Sequence, residues 1–113
     1  MECTGGAVAV IHTHTTISPS EAHRMMESGD VLVLDVRTQQ EFDEGHIEGA
    51  VLLADYEIEV RAQDVIPSKD QVVLVYCRSG RRSAAAASRL AEMGYLNVYD
   101  FGGILDWPYG VVQ

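Results

Sequence analysis

Residues 76–83 read YCRSGRRS, one cysteine with Arg78, Arg81 and Arg82 in the positions directly behind it. The reactive form of a cysteine is its thiolate, and nearby cations or a helix N-terminus favour that anion. Ser79 and Gly80 suit a tight loop, because glycine takes a positive φ without steric cost. The segment SAAAASRLAEM supplies a helix directly after the arginines. A basic loop running into a helix turns consecutive backbone N–H groups inward and forms an anion-binding concavity. The implied chemistry is a sulfur nucleophile beside an oxyanion: Cys77 either attacks an anionic substrate or carries a negatively charged atom. The bland alternative is a buried, inert cysteine closing a core strand next to a solvated arginine cluster. Strand, cysteine, glycine-containing basic loop and helix in succession favour the first reading.

The concentration of arginine matters because the chain is acidic. Its 113 residues hold eight Lys and Arg against seventeen Asp and Glu, a formal net charge of -9. Such a balance argues against nucleic acid as a partner, since phosphate neutralisation needs a broad basic face. Seven of the acids fall within residues 41–59, a run read as solvated surface or as a docking face. Cys3 and Cys77 do not make a disulfide scaffold, and no spacing suits a zinc site. His12 and His14 in IHTHTT have no evident further ligands, so neither metal nor cofactor is expected. No stretch reaches the roughly 18 apolar residues of a membrane span. The start MECTGGAVAV is too short and lacks the basic flank of an intact export signal. The expected location is the cytoplasm, with export and loss of a signal segment as the alternative.

The elements that must position the loop are legible from periodicity and caps. ISPSEAHRMMESGD opens with Ser18 as N-cap, Pro19 at the first helical position and Glu21 completing a capping box. Ala22, Met25 and Met26 form its inward stripe, and Gly29 stops it. VLVLDV (31–36) and VVLVY (72–76) are continuous apolar runs, typical of strands buried on both faces of a parallel sheet. AVLL (50–53) and NVYDF (97–101) are further strands. Thr38 and Glu41 form a second capping box over QQEFDE. A helix over about 57–65 presents Ile58, Ala62, Val65 and Ile66, and Pro67 ends it. A last helix spans about Arg82 to Met93, with Gly94 as its stop. Strands alternating with helices predict an α/β fold, a small, mostly parallel sheet with helices on both faces. Residues 1–14 are expected to be a flexible segment and 15–113 the domain. Ligands of such sheets bind outside the carboxyl ends of the strands, where Asp35 and Cys77 both fall.

Three segments carry a family resemblance: LDVRTQQEFDEGHIEGA (34–50), VYCRSGRRSAAAASRLAEMGY (75–95) and VYDFGGILDW (98–107). In that order and spacing the chain resembles the single-domain rhodanese-like sulfurtransferases over roughly residues 15–110. The resemblance implies that Cys77 attacks the outer sulfur of thiosulfate or of a persulfide donor, becomes a persulfide, and passes the sulfur to cyanide or another thiophile. Ping-pong kinetics are the expected sign of that two-step course. It further implies that the amides of Arg78, Ser79, Gly80, Arg81 and Arg82 hold the persulfide anion. The three arginines are the candidates for the oxyanion end of the donor. Arg82, which begins the helix, has tying the loop down as its alternative role. Asp35 and Arg37 stand in the family's DVR segment as supporting residues, with Asp35 expected to fix the basic loop by charge-assisted hydrogen bonds. Glu41 is placed to pair with Arg37. His46 is either a structural histidine or a group near the pocket. Gly102 and Gly103 let the chain turn close to the active edge, and Trp107 is a core anchor. The expected partners are a small anionic sulfur donor and, further, a sulfur-acceptor protein.

Other functions are less well served. A cysteine-phosphatase loop places an arginine six positions after the cysteine, where this chain has Ser83. A loop one residue shorter makes a smaller cradle. Arsenate reduction needs a reductant thiol, for which Cys3 is a poor candidate. A non-catalytic recognition module, or a sulfur carrier to a partner protein, remains the alternative from another class.

Overall fold

A computed structural model describes residues 13–113. Cys3, His12 and nearly all of the segment 1–14 lie outside the described residues. In chain order the elements are β1 (Thr15–Thr16), α1 (Pro19–Ser28), β2 (Val31–Asp35), α2 (Gln39–Glu44) and β3 (Val51–Leu52). A 3-10 turn (Asp55–Glu57) leads into α3 (Ile58–Val65), β4 (Val72–Cys77), α4 (Arg81–Glu92) and β5 (Asn97–Gly103). A second 3-10 turn covers Ile104–Asp106.

The five strands form one sheet in the order β1-β5-β4-β2-β3, and every pairing among them is parallel. β2 and β4, the two continuous apolar runs, pair at the middle of the sheet, β5 (NVYDFGG) flanks β4, and both edges are only two residues long. Short edges limit the unpaired backbone that could recruit another chain. β1 is the strand that periodicity does not reveal, because Thr15–Thr16 is too short to show alternation.

Side chains alternate across the sheet. Val73, Val75 and Cys77 of β4 join Leu34 of β2 under Ile58 and Ala62 of α3 and Ala86 and Leu90 of α4. Leu74 and Tyr76 join Val33 on the opposite face, with Ala22, Met25 and Met26 of α1 and with Trp107. Both methionines are half-buried and pack against this cluster. Trp107 meets Phe101 with ring centroids 5.3 Å apart.

The helix ends follow from their caps. Ser18 Oγ accepts the Glu21 amide at 3.1 Å, but the reciprocal half of that capping box is missing. The Glu21 carboxylate turns to Arg24 instead, at 2.8 Å. At α2 the box is complete: Thr38 Oγ1 accepts from the Glu41 amide at 3.2 Å, and Glu41 Oε1 accepts from the Thr38 amide at 3.0 Å. α3 buries Ile58, Ala62 and the following Ile66, while Val65 is half-buried. α4 starts one residue earlier than sequence alone suggests, at Arg81, because Gly80 takes the N-cap position with φ 104°.

Candidate active site

Cys77 is the last residue of β4, is fully buried, and faces the α3/α4 side of the sheet. Gly80 adopts a left-handed conformation and brings its N–H back to Cys77 Sγ at 3.0 Å. The loop therefore folds over its own cysteine. The first turn of α4 follows at once, and its leading amides have no intrahelical acceptor. The loop is backed by the end of β5. A Cβ at Gly103 would overlap the Arg78 carbonyl, so only glycine admits this approach. The Leu105 amide donates to that same carbonyl at 3.2 Å.

A buried polar bridge ties the loop, α4 and β5 together. Ser83 Oγ lies 2.7 Å from Asp100 Oδ1 and 3.1 Å from the Gly80 carbonyl. The Gly102 amide donates to Asp100 Oδ1 at 3.0 Å. Ser83 and Asp100 are both buried, so each needs these partners. Sequence reasoning did not assign either residue to the site. The signal was present: an aspartate inside the apolar strand NVYDF is disfavoured unless something pairs with it.

The four arginines at this edge divide into two kinds. Arg37 is almost completely buried. It donates to Asp35 Oδ2 through Nη2 at 2.7 Å and to Asp35 Oδ1 through Nε at 2.9 Å. Nη2 also donates to the Gly45 carbonyl at 2.7 Å. Burial works against its charge, but the hydrogen bond and charge of Asp35 raise its pKa on balance. Arg82 is clamped by Glu41 through two bonds, Nη1 to Oε1 at 2.8 Å and Nη2 to Oε2 at 2.9 Å. The Arg82 hydrogen bond, with help from Thr38, holds the Glu41 carboxyl at about 2. Arg78 and Arg81 are exposed and make no ion pair among the described residues.

Two expected contacts are replaced by others. Asp35 does not reach the basic loop. It shares its sheet face with Val33 and Tyr76, away from Cys77, and its oxygens are taken by Arg37. Glu41 does not pair with Arg37, because Arg82 occupies both of its oxygens. His46 stacks on Phe42 with centroids 3.8 Å apart, and its Nδ1 lies 2.9 Å from the Phe42 carbonyl. Gly102 and Gly103 lie against the loop. Among the described residues no cluster of His, Cys, Asp and Glu could hold a metal ion, and no helix is long and apolar enough to cross a membrane.

A cavity of about 420 Å³ opens beside the loop, lined by Arg78, Arg37, Glu41, Glu44, Ile104 and Trp107, with Gly45, Gly110 and Val111 closing it. Its lining mixes the guanidiniums of Arg37 and Arg78 with the carboxylates of Glu41 and Glu44 and the apolar Ile104, Trp107 and Val111.

The family model for "Rhodanese-like domain" matches residues 18–108. The chain is 37% identical over 73 residues to the thiosulfate sulfurtransferase PspE of Escherichia coli, covering 65% of this chain and 70% of that one. It is 38% identical over 91 residues to a sulfurtransferase of Allochromatium vinosum, covering 80% and 83%. Among solved structures, a rhodanese with anions from E. coli superposes with a TM-score of 0.69 at 34% identity, covering 73% of this chain and 96% of that one. A chain whose parallel sheet ends in a cysteine under a basic loop, and whose sequence matches in these ways, belongs to the rhodanese-like family as a rhodanese-type sulfurtransferase.

Proposed function

We propose that the protein takes the outer sulfur of thiosulfate onto Cys77 and delivers it to a thiophilic acceptor. The observation that carries this reading is the Gly80 amide aimed at Cys77 Sγ at 3.0 Å, beside two exposed arginines with no partner among the described residues. In the first step the Cys77 thiolate attacks the outer sulfur. The S–S bond of thiosulfate breaks, and sulfite leaves with the electron pair. The product is a cysteine persulfide anion, held by the loop amides and the start of α4. In the second step the acceptor attacks the persulfide's outer sulfur, and the thiolate of Cys77 is released. With cyanide the sum is thiosulfate plus cyanide giving sulfite plus thiocyanate, with charge conserved.

The roles divide by what each side chain is free to do. Arg78 and Arg81 hold the incoming dianion. Arg82 and Arg37 carry fixed positive charge but spend their hydrogen bonds on Glu41, Asp35 and Gly45. Cys77 is fully buried, so the loop must open to admit the donor.

Intact-mass spectrometry after incubation with thiosulfate tests the reading. One sulfur atom is gained on Cys77, cyanide removes it, Cys77→Ser abolishes the gain and Cys3→Ser keeps it. Absence of any adduct with thiosulfate and with a persulfide donor would instead assign the domain to recognition without chemistry.

A further inference from the structure

The last strand falls out of step with its neighbour at one place. Asp100 of β5 pairs with Val75 of β4, and Gly103 pairs with Cys77. Three steps along β5 therefore match two along β4, the mark of a β-bulge. Gly102, inside the bulge, takes φ 96°. Bulges re-aim the end of a strand, and this one brings the backbone of β5 against the Cys77 loop. A Cβ built on Gly80 would stand 3.4 Å from Gly102 Cα.

Asp100 holds the bulge and α4 with a single oxygen. Its Oδ1 accepts from the Gly102 amide at 3.0 Å and from the Ser83 hydroxyl at 2.7 Å, the second a length typical of a charge-assisted bond. Gly80 sits between these two donors. Its carbonyl is 3.1 Å from Ser83 Oγ, its α-carbon faces Gly102, and its N–H points at Cys77 Sγ, 3.0 Å away. A short chain of direct contacts thus runs from Asp100 to the sulfur. The Gly80 carbonyl also accepts from the Ala84 amide at 3.2 Å, which directs it into α4. Across a trans peptide the Arg81 N–H then points the opposite way, out of the helix. Asp100 is only 5% exposed. Burying a carboxylate is costly, and its partners among the described residues are Ser83 and Gly102, the two groups that flank Gly80.

We propose that Asp100 is a positioning residue for sulfur transfer: through Ser83 and the Gly102 bulge it holds the Gly80 and Arg81 amides in the orientation that stabilises the sulfur anion on Cys77. Asp100 takes no part in bond making and acts through Gly80. This role rests on the sulfur-transfer reading above and adds to it a residue from outside the loop.

The test uses Asp100→Ala, Asp100→Asn and Ser83→Ala in a Cys3→Ser background, with Leu90→Ala as a variant destabilised in the core. Both bonds fall on Oδ1, so asparagine keeps an accepting oxygen and drops the charge, while alanine drops both. One arm follows alkylation of Cys77 by iodoacetamide across pH, read by peptide mass spectrometry. The midpoint should rise by about one pH unit in Ser83→Ala, and by as much in Asp100→Ala relative to Asp100→Asn, the worth of one hydrogen bond to an anion. The other arm measures sulfur loading at saturating thiosulfate. Loading should slow about tenfold or more in Asp100→Ala and Ser83→Ala, the scale of a misdirected donor in an anion cradle, and Asp100→Asn should recover most of the lost rate. Leu90→Ala should keep the parent midpoint. Midpoints and loading rates unchanged in both Asp100→Ala and Ser83→Ala overturn the proposal, as does a change of the same size in Leu90→Ala, which would trace it to stability. Where Asp100→Ala does not fold, Ser83→Ala decides, since it replaces a hydroxyl by the best helix former. The alkylation arm needs no sulfur transfer. A parent protein that fails to load sulfur therefore overturns the catalytic reading, while the alkylation midpoints still decide whether Asp100 sets the loop.

Discussion

At the scale of the residue, four arginines of one chemical kind have been given different work by their partners. YCRSGRRS shows that positive charge is concentrated behind Cys77, and that much of the site is legible from sequence. It does not show which guanidiniums are free, because the partner of Arg82 is Glu41, 41 positions earlier in the chain. The same limit hid Asp100, whose partner Ser83 lies 17 positions away. Free and clamped arginines should respond differently to removal. Arg78→Ala and Arg81→Ala are expected to raise the apparent KM for thiosulfate about tenfold, the worth of one charge-assisted contact. Their melting temperatures should stay within a few degrees of the parent, since exposed side chains contribute little to folding. Arg82→Ala should do the reverse and lower the melting temperature, because it strips Glu41 of its partner. Thiosulfate titrations run beside thermal melts decide the matter. An unchanged KM in both Arg78→Ala and Arg81→Ala would remove these side chains from the donor site.

At the scale of the element, the junction of α2 with α4 is held by one carboxylate. Glu41 completes the cap of α2 and reaches across to Arg82 at the start of α4. Sequence reading found the cap, which needs only the spacing of Thr38 and Glu41. It could not find the crossing, which depends on how two helices are brought together. The two duties separate in Glu41→Gln, because glutamine also serves at the third position of a capping box but carries no charge for Arg82. The variant should lose about 1 kcal/mol at neutral pH, modest because the pair is partly exposed. Acidity gives a second handle. The Glu41 carboxyl lies at about 2 in the fold against an ordinary value of 4.5. A depressed folded-state pKa adds stability above the unfolded value, and that stability is lost as pH falls through the folded one. The difference in melting temperature between parent and Glu41→Gln should therefore be constant from pH 7 to about 5 and shrink between about 4.5 and 2. A gap that persists undiminished to pH 2.5 would mean that the charge on Glu41 contributes nothing.

At the scale of the whole molecule, the parallel sheet explains why the site is where it is. Every paired strand runs in the same direction, so Asp35 and Cys77 reach the same edge while alternation sends them to opposite faces. The continuous apolar runs 31–36 and 72–76 made the central strands and the α/β class legible. The strand order was not, because it depends on which way each crossover packs, and Thr15–Thr16 offered too few residues to reveal an edge. This layout predicts that stability and chemistry can be damaged separately. Leu90 is fully buried between α4 and the sheet, and Leu90→Ala should cost about 2–5 kcal/mol. That corresponds to a fall in melting temperature of roughly 10 °C or more for a domain of this size. The start of α4, however, is pinned by Ser83 to Asp100 and by Arg82 to Glu41. Leu90 lies about 10 Å further along the helix axis, at ~1.5 Å per residue, and shares none of those bonds. At temperatures where the variant is still folded, kcat/KM for thiosulfate should remain within about twofold of the parent, because the bonds that pin the start of α4 stay in place. The comparison requires thermal melts and initial rates on the same preparation. A large loss of rate in fully folded Leu90→Ala would show that core packing, and not only the pins at the end of α4, sets the geometry around Cys77.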